Sequence, residues 1–293
     1  MEINLQPGRY VAAISGGVDS IVLLDLLSKS AGLEVVVAHF NHGIRPDSSK
    51  DEDFVRRIAK RYGLKFESGA GHLGPKTGED AARQARYDFL EKIRRDHTAK
   101  AIITAHHQDD LIETAFLNIL RGTGPRGLAA IMLNEKVERP LLGWPKSTII
   151  DYAKQKELRW RDDPSNTDEA YLRNYLRHNV LPKLNALQKA EIIGNIQKIA
   201  GLEKTRSALM ISLSQVVAPG NIIDRQAFIN LPAELGGELV TYWLRQRGIG
   251  DFDKKTIARL NVALRTSKDG TKHDVKGRLN LTVGKKTAQF VTD

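Results

Sequence analysis

The stretch Tyr10-Val11-Ala12-Ala13-Ile14-Ser15-Gly16-Gly17-Val18-Asp19-Ser20 decides how the rest of the chain is read. Its apolar beginning stops abruptly at Ser-Gly-Gly, the pattern of a buried strand. From Asp19 to Ser28 the apolar residues Ile21, Leu23, Leu24, Leu26 and Leu27 predict a helix packed on a sheet. Between strand and helix, Gly16 and Gly17 let backbone amides approach a phosphate with no Cβ in the way. Ser15 and Ser20 add hydroxyl donors, and the helix offers its positive N-terminal end. Asp19 conflicts with a pure phosphate cradle, because a carboxylate repels phosphates. A bridging Mg²⁺ removes the conflict, since hard cations accept both kinds of oxygen. The competing reading is an ordinary strand-turn-helix with Asp19 as N-cap. The loop is neither a Walker loop, lacking Gly-Lys-Ser/Thr, nor a dinucleotide glycine fingerprint.

Working outward, strand and helix patterns alternate. Leu33 to Phe40 is β-rich, Ser48 to Tyr62 is helical with Phe54, Val55, Ile58 and Ala59 on one face, and Lys65-Phe66-Glu67 is a weaker strand. Gly78 to Arg95 predicts a helix, Ala101 to Ala105 a strand, and Gln108 to Leu120 another helix. Such alternation predicts an α/β fold, a parallel sheet with helices on both faces. Ligands then bind where the strands' carboxyl ends meet the loops, and the polar segments after Ile14, Phe40 and Ala105 all fall there.

Past Trp160 the character changes. Asp162 to Asn166 reads as a turn, Ala170 to Val180 as a basic helix, and Asn185 to about Val217 as a long connector helix broken by Ala218-Pro219-Gly220-Asn221. Helices near Arg225–Phe228, Glu234–Arg247 and Lys254–Ala263 follow, then a hairpin over Lys272 to Val291 turning near Gly284-Lys285-Lys286. The expected organisation is a catalytic domain with its connector over residues 1–213 and a small, mainly helical, basic domain over 214–293.

Composition narrows the function classes. The 293 residues include no cysteine, which removes disulfides, thiolate metal sites and sulfur-carrying thiols. No apolar run approaches the ~20 residues of a membrane span. The N-terminus shows no basic-then-apolar leader, so a cytoplasmic location is expected and a membrane is not. The formal charge of +10, from 45 basic and 35 acidic residues, favours a polyanionic partner such as nucleic acid, although solubility alone also explains it.

The segment Ala105-His106-His107-Gln108-Asp109-Asp110-Leu111-Ile112-Glu113-Thr114 opens the next informative helix. His106, Asp110, Glu113 and Thr114 fall near one face. Carboxylates that close need a cation, an ammonium group or shared protons. A solvated first turn explains Asp109 and Asp110 but not the two histidines ahead of them. A zinc site remains an alternative to Mg²⁺ or ammonium recognition.

Ser15 to Ser20 resembles the loop of the N-type ATP pyrophosphatases, which cleave ATP between the α and β phosphates and pass AMP to an oxygen. The segment from Ala105 through Leu117-Asn118-Ile119-Leu120-Arg121-Gly122-Thr123-Gly124-Pro125-Arg126-Gly127-Leu128 is similar to the tRNA(Ile)-lysidine synthetases within that superfamily. Ala38-His39-Phe40-Asn41-His42-Gly43-Ile44-Arg45, Arg139-Pro140-Leu141-Leu142, and Asp163-Pro164-Ser165-Asn166 with Arg173-Asn174 join it in collinear order. The likeness covers roughly residues 10 to 185 and is loose beyond them. It implies a PP-loop fold and an ATP-dependent ligase. The wobble cytidine of a CAU-anticodon tRNA(Ile) is adenylylated at its C2 oxygen, and the ε-amine of free L-lysine then displaces AMP. By matching position, Ser15, Gly16, Gly17, Val18, Asp19 and Ser20 would hold ATP, with Asp19 on Mg²⁺. The backbone of Ala38, His39 and Phe40 would meet the adenine. Asp110 and Glu113 would orient the lysine ammonium or the metal, His106 would stand beside the reacting centre, and Arg173 would contact the intermediate or the tRNA. The resemblance leaves monomer and homodimer open and implies a compact family form.

Rival readings are separable. A tRNA thiolase would need cysteines, GMP or NAD synthetases leave His106 to Gly127 unexplained, and a catalytically inactive tRNA binder has no use for Asp19, Asp110 and Glu113. Arg121, Arg126 and Arg139 read equally as phosphate contacts or solvated charges. Gly122, Gly124 and Gly127 suit either a mobile loop or ordinary turns. His39 and His42, taken alone, read as hydrogen-bonded loop histidines. The basic residues from Arg245 to Lys286 suit a tRNA footprint or a solvated face. Trp144, Trp160 and Trp243 read as packing residues.

Overall fold

Strand β1 (Gly8–Ala13) lies at the centre of a five-stranded sheet with β2 (Leu33–Asn41), β3 (Lys65–Ala70), β4 (Ala101–Ile103) and β5 (Val137–Glu138), in the order β3-β2-β1-β4-β5. Every pairing is parallel, with Val11 opposite Val36 on one side and Ile102 on the other. The computed structural model describes all residues except 42, 44–47, 72–77, 135, 162–171, 251 and 293. The predicted turn at Asp163 to Asn166, His42 and Arg45 therefore lie outside the described residues.

The alternation of side chains along β1 sorts the core into two layers. Tyr10, Ala12 and Ile14 pack with α1 (Val18–Ser28), with Val55 and Ala59 of α2 (Ser48–Arg61), and with Ile149, Tyr152 and Ala153. Val11 joins Val36, Ala38 and Ile102 against Leu90 and Ile93 of α3 (Glu79–Asp96). Helices thus cover both faces, as the alternation of patterns predicts. Helix α1 is buried on every side from Ser20 to Leu27, which suits a helix apolar all round.

Beyond β4 come α4 (Gln108–Leu120), the short α5 (Pro125–Leu128) and α6 (Ala130–Leu133), and α7 (Lys146–Gln155), which packs on α1. Gly122, at φ 68°, is the left-handed residue just past α4. The predicted basic helix is α8 (Leu172–Tyr175) continued by a π-helical turn, Leu176–Val180, and a 3₁₀ turn. The long α9 (Ala186–Val217) follows. Leu111, Ile112, Ala115 and Leu117 of α4 meet Leu176, Leu181, Ile193 and Ile196 in a third cluster.

Two compact units divide at Ala200 and Gly201, within α9. The second unit has its own core, centred on Phe228, Leu239, Val240, Trp243, Leu260, Leu264 and Leu281. Its helices are α10 (Arg225–Ile229), α11 (Ala233–Gln246) and α12 (Lys254–Thr266). The expected hairpin turning at Gly284-Lys285-Lys286 is β8 (Leu279–Val283) with β9 (Thr287–Thr292), and β7 (Thr271–Lys276) and β6 (Ile223–Asp224) extend it to a four-stranded antiparallel sheet in the order β6-β9-β8-β7. Gly277, at φ 64°, makes the extra turn, and two-residue β6 carries no alternation to read. No helix among the described residues is long and apolar enough to cross a membrane.

Candidate active site

The chain moves from β1 outward through β2 and β3, then returns to the other side of β1 as β4. This reversal opens a crevice at the carboxyl ends of β1 and β4, the place where open parallel sheets bind ligands. Ser15 to Ser20 leaves one wall and Thr104 to Asp110 leaves the other.

The loop after β1 is held by its own side chains. Ser20, only 4% exposed, donates its hydroxyl to the Gly17 carbonyl at 2.8 Å and accepts the Gly16 amide at 3.0 Å. Ser15 donates to the Ser20 Oγ at 3.2 Å and accepts the Gly17 amide at 3.3 Å. The Gly16 carbonyl accepts from the Arg161 amide, and Gly16 adopts φ 99°, where a side chain would be strained. Gly17 is the N-cap of α1 and no side chain caps it. The capping role for Asp19 therefore falls. The first amides of α1 stay open to an anion.

Ala38, His39 and Phe40 end β2 beside this loop. Ala38 and His39 are buried. The Ala38 carbonyl accepts from the Ile14 amide at 2.9 Å, and His39 Nδ1 donates to the Ile14 carbonyl at 2.8 Å. Burial pushes the His39 pKa down and keeps the ring neutral. These two residues fasten the end of β1, and Phe40 packs on Phe89 with ring centroids 5.5 Å apart.

A chain of charges crosses the crevice. Lys146, at the start of α7, meets Asp19 Oδ1 at 2.5 Å. The buried His107 brings Nε2 to 3.8 Å from that oxygen and 3.4 Å from Asp110 Oδ2. Asp110 also accepts the His107 amide at 2.9 Å, closing the first turn of α4. Arg177 reaches Asp110 at 3.3 Å and grips both oxygens of Glu113, at 2.8 and 2.9 Å. Arg173 Nε lies 3.8 Å from Glu113. Asp109 turns to Lys189 at 3.5 Å.

Electrostatics separates the two carboxylates. Burial pushes the Glu113 carboxyl up, with Arg177 only partly opposing it. Burial acts on Asp110 in the same direction, but His107, His106, the His107 amide and Arg177 outweigh it and hold the group low. His106 is pushed down to about 4, chiefly by burial, with Arg139, Arg86 and Arg83 adding to the shift and Asp110 opposing it. Its Nδ1 bonds Thr104 Oγ1 at 2.7 Å. It is therefore a neutral imidazole at pH 7, able to accept a proton.

The structure thus brings Asp19, Asp110, Glu113 and Arg173 into one ion-pair chain, with His106 close enough to feel the Asp110 charge. Lys146, His107 and Arg177 complete it and were not singled out from the sequence. His107 was legible as a neighbour of His106. Lys146 and Arg177 meet carboxylates 127 and 64 residues away, a pairing no local pattern encodes. Among the described residues no group of three histidines or carboxylates is arranged to hold a metal, which leaves the zinc alternative without a ligand set there.

A five-stranded parallel α/β unit with a glycine-rich loop at its switch point defines the class, a nucleotide-binding fold. More narrowly, the chain belongs to the PP-loop family, whose domain matches residues 2–184. The tRNA(Ile)-lysidine synthase of Methylococcus capsulatus (strain Bath) is 34% identical over 279 residues, covering 88% of this chain and 62% of that protein. That of Thermotoga sp. (strain RQ2) is 38% identical over 194 residues, covering 62% of this chain and 47% of the other. The chain thus spans about half to two thirds of these relatives' length. The U34-tRNA thiolase NcsA from Methanococcus maripaludis shares the fold at 15% identity and a TM-score of 0.56, covering 68% of this chain and 73% of that one.

Proposed function

We propose that this chain is a tRNA(Ile)-lysidine synthase, acting in the cytoplasm on a CAU-anticodon tRNA(Ile), ATP and free L-lysine. The observation that carries the reading is the continuous chain Lys146–Asp19–His107–Asp110–Arg177, which joins the phosphate loop to the acidic helix across the β1/β4 crevice. The likeness to proteins of that name adds the substrate class.

The open first amides of α1, at Val18 and Asp19, bind the ATP phosphates, while Ser15 and Ser20 shape the loop by accepting the Gly17 and Gly16 amides. The backbone at Ala38, His39 and Phe40 faces the adenine. Mg²⁺ needs few protein ligands, and the single carboxylate of Asp19 beside a phosphate loop fits that requirement. When bound, it neutralises charge on the phosphates. The cytidine C2 oxygen attacks the α-phosphorus and diphosphate leaves. The lysine ε-amine then attacks C2, and AMP departs with the oxygen. Asp110, held ionised, binds the lysine ammonium. Neutral His106 is placed to take the proton the amine must lose. Glu113 acts indirectly: its buried carboxylate fixes Arg177, and through Arg173 the cationic wall toward the intermediate.

The test measures pyrophosphate release from ATP and Mg²⁺. Release with lysine and the CAU tRNA(Ile) is expected. Robust release with ammonia and xanthosine monophosphate, and none with that tRNA, would overturn the proposal in favour of an amidating enzyme.

A further inference from the structure

Beside this centre lies a group of cations with no carboxylate partner among the described residues. Helix α3 is the crossover between β3 and β4, so its first turns begin at the carboxyl edge of the sheet, where the crevice opens. Arg83, Arg86 and Tyr87 occupy those turns. The guanidinium carbons of Arg83 and Arg86 stand 5.0 and 5.4 Å from the Tyr87 ring centroid. Arg139 follows β5, and its Nη1 donates to the carbonyls of Asn134 at 3.2 Å and Val137 at 2.8 Å, fixing its fork. Arg139 Nε is buried and has no hydrogen-bond partner; the buried Tyr87 hydroxyl makes no well-formed hydrogen bond, yet lies close enough to Arg86 and Arg139 to act on both.

Among the described residues no carboxylate comes within ion-pair distance of Arg83, Arg86 or Arg139, and Glu138 acts on Arg139 only at longer range. Burial, with repulsion from Arg83 and Arg173, holds the Arg86 guanidinium below its ordinary pKa, and burial with Arg83 does the same to Arg139. The same three arginines press on His106, which ties them to the reacting centre. Stacking on Tyr87 explains where two of the side chains sit but neutralises nothing. Planar forks converging beside a buried hydroxyl suit the tetrahedral oxygens of a phosphate.

We propose that Arg83, Arg86 and Arg139, with the Tyr87 hydroxyl, form a binding site for a phosphate oxyanion next to the reacting base. The location rests on the adenylyl-transfer reading above. The oxyanion is supplied either by a phosphodiester flanking the target nucleotide or by the nucleotide's α-phosphate.

The experiment uses the full chain with Arg83→Gln and Arg86→Gln, and Arg139→Lys as a charge-keeping control that removes the fork. Dissociation constants are measured for ATP and for an unmodified CAU tRNA(Ile) transcript across a salt series, with ligand-free melting temperatures alongside. A loss of tRNA affinity of about tenfold or more, with the slope of log K against log salt shallower by about one per arginine, assigns the phosphodiester. A comparable loss of ATP affinity with tRNA binding intact assigns the α-phosphate. Ligand-free melting temperatures hold or rise, because each glutamine removes a repulsive charge. Folded variants that keep both affinities within about threefold of wild type overturn the site. So does a large fall in melting temperature with binding intact, which would make the arginines structural. Wild type that binds this tRNA no better than an unrelated RNA refutes the lysidine reading instead, and the ATP arm then decides the site.

Discussion

Replacing Arg177 with methionine isolates what the buried carboxylate of Glu113 needs. Glu113 is 0% exposed, and Arg177 holds both of its oxygens at 2.8 and 2.9 Å. Methionine keeps much of the side-chain bulk and removes the fork, so Glu113 loses its bidentate partner. Removing one member of a buried pair costs about 3–5 kcal/mol. For a unit of this size that lowers the melting temperature by about 6–20 °C. The pH dependence has a definite sign. Glu113 already sits above its ordinary value because of burial, and losing Arg177 raises it further. The folded variant then keeps a proton that the unfolded chain gives up near pH 4.5. Its stability is therefore greatest at or below that pH and declines as pH rises toward the folded value. Denaturant titrations at acidic and neutral pH measure the deficit, which should widen toward neutrality. The double variant Arg177→Met/Glu113→Gln should recover much of it, because position 113 no longer carries a buried charge that needs the fork. A loss below about 1 kcal/mol, or a double variant no better than the single, would refute the reasoning.

Four further substitutions test other parts of the site and fold. Asp19→Asn and Lys146→Met should each reduce pyrophosphate release by at least about tenfold while moving the melting temperature little, because the pair is partly exposed and such pairs add at most about 1 kcal/mol. A large thermal shift would make the pair structural. Gly69→Ala should destabilise by about 1–3 kcal/mol in a denaturant titration, since its Cβ would meet the Phe89 ring at 2.5 Å; a neutral result would show that Phe89 moves freely. His106, pushed down to about 4 from 6.5, binds fewer protons folded than unfolded between those values. Stability contributed there should rise with pH from about 4 to 6.5, and His106→Ala should flatten that window in melts at constant ionic strength.

Features carried by local pattern were legible before the fold. The apolar run ending at Ile14, the glycines after it and the apolar faces of α2 and α3 fix a parallel α/β sheet by period and order alone. The switch point follows from where the polar segments fall. What escaped depends on distant partners. Helix α7 is short, and Lys146-Ser147-Thr148 precedes its apolar residues Ile149, Tyr152 and Ala153, so nothing local marked the lysine that meets Asp19. Arg177 belonged to a segment read only as a basic helix, and its grip on Glu113 exists only once α4 and the π-helical turn pack together. Ser20 shows the same limit at short range. Its hydroxyl was read as a phosphate donor, yet in the folded loop it donates to Gly17 and is nearly buried. Strand β6 pairs with β9 more than 60 residues later, and two residues hold no period.

The most direct test of the account supplies the full chain with ATP, Mg²⁺, isotopically labelled lysine and a CAU-anticodon tRNA(Ile), and follows label in the tRNA beside AMP production. Wild type should transfer lysine to the wobble cytidine with one AMP released per lysine. Asp110→Asn should bind the tRNA normally and transfer almost none, because the carboxylate proposed to hold the lysine ammonium is gone. Label that never enters the tRNA while AMP accumulates on another acceptor would contradict the function, and near-wild-type transfer by Asp110→Asn would contradict the role given to the acidic helix.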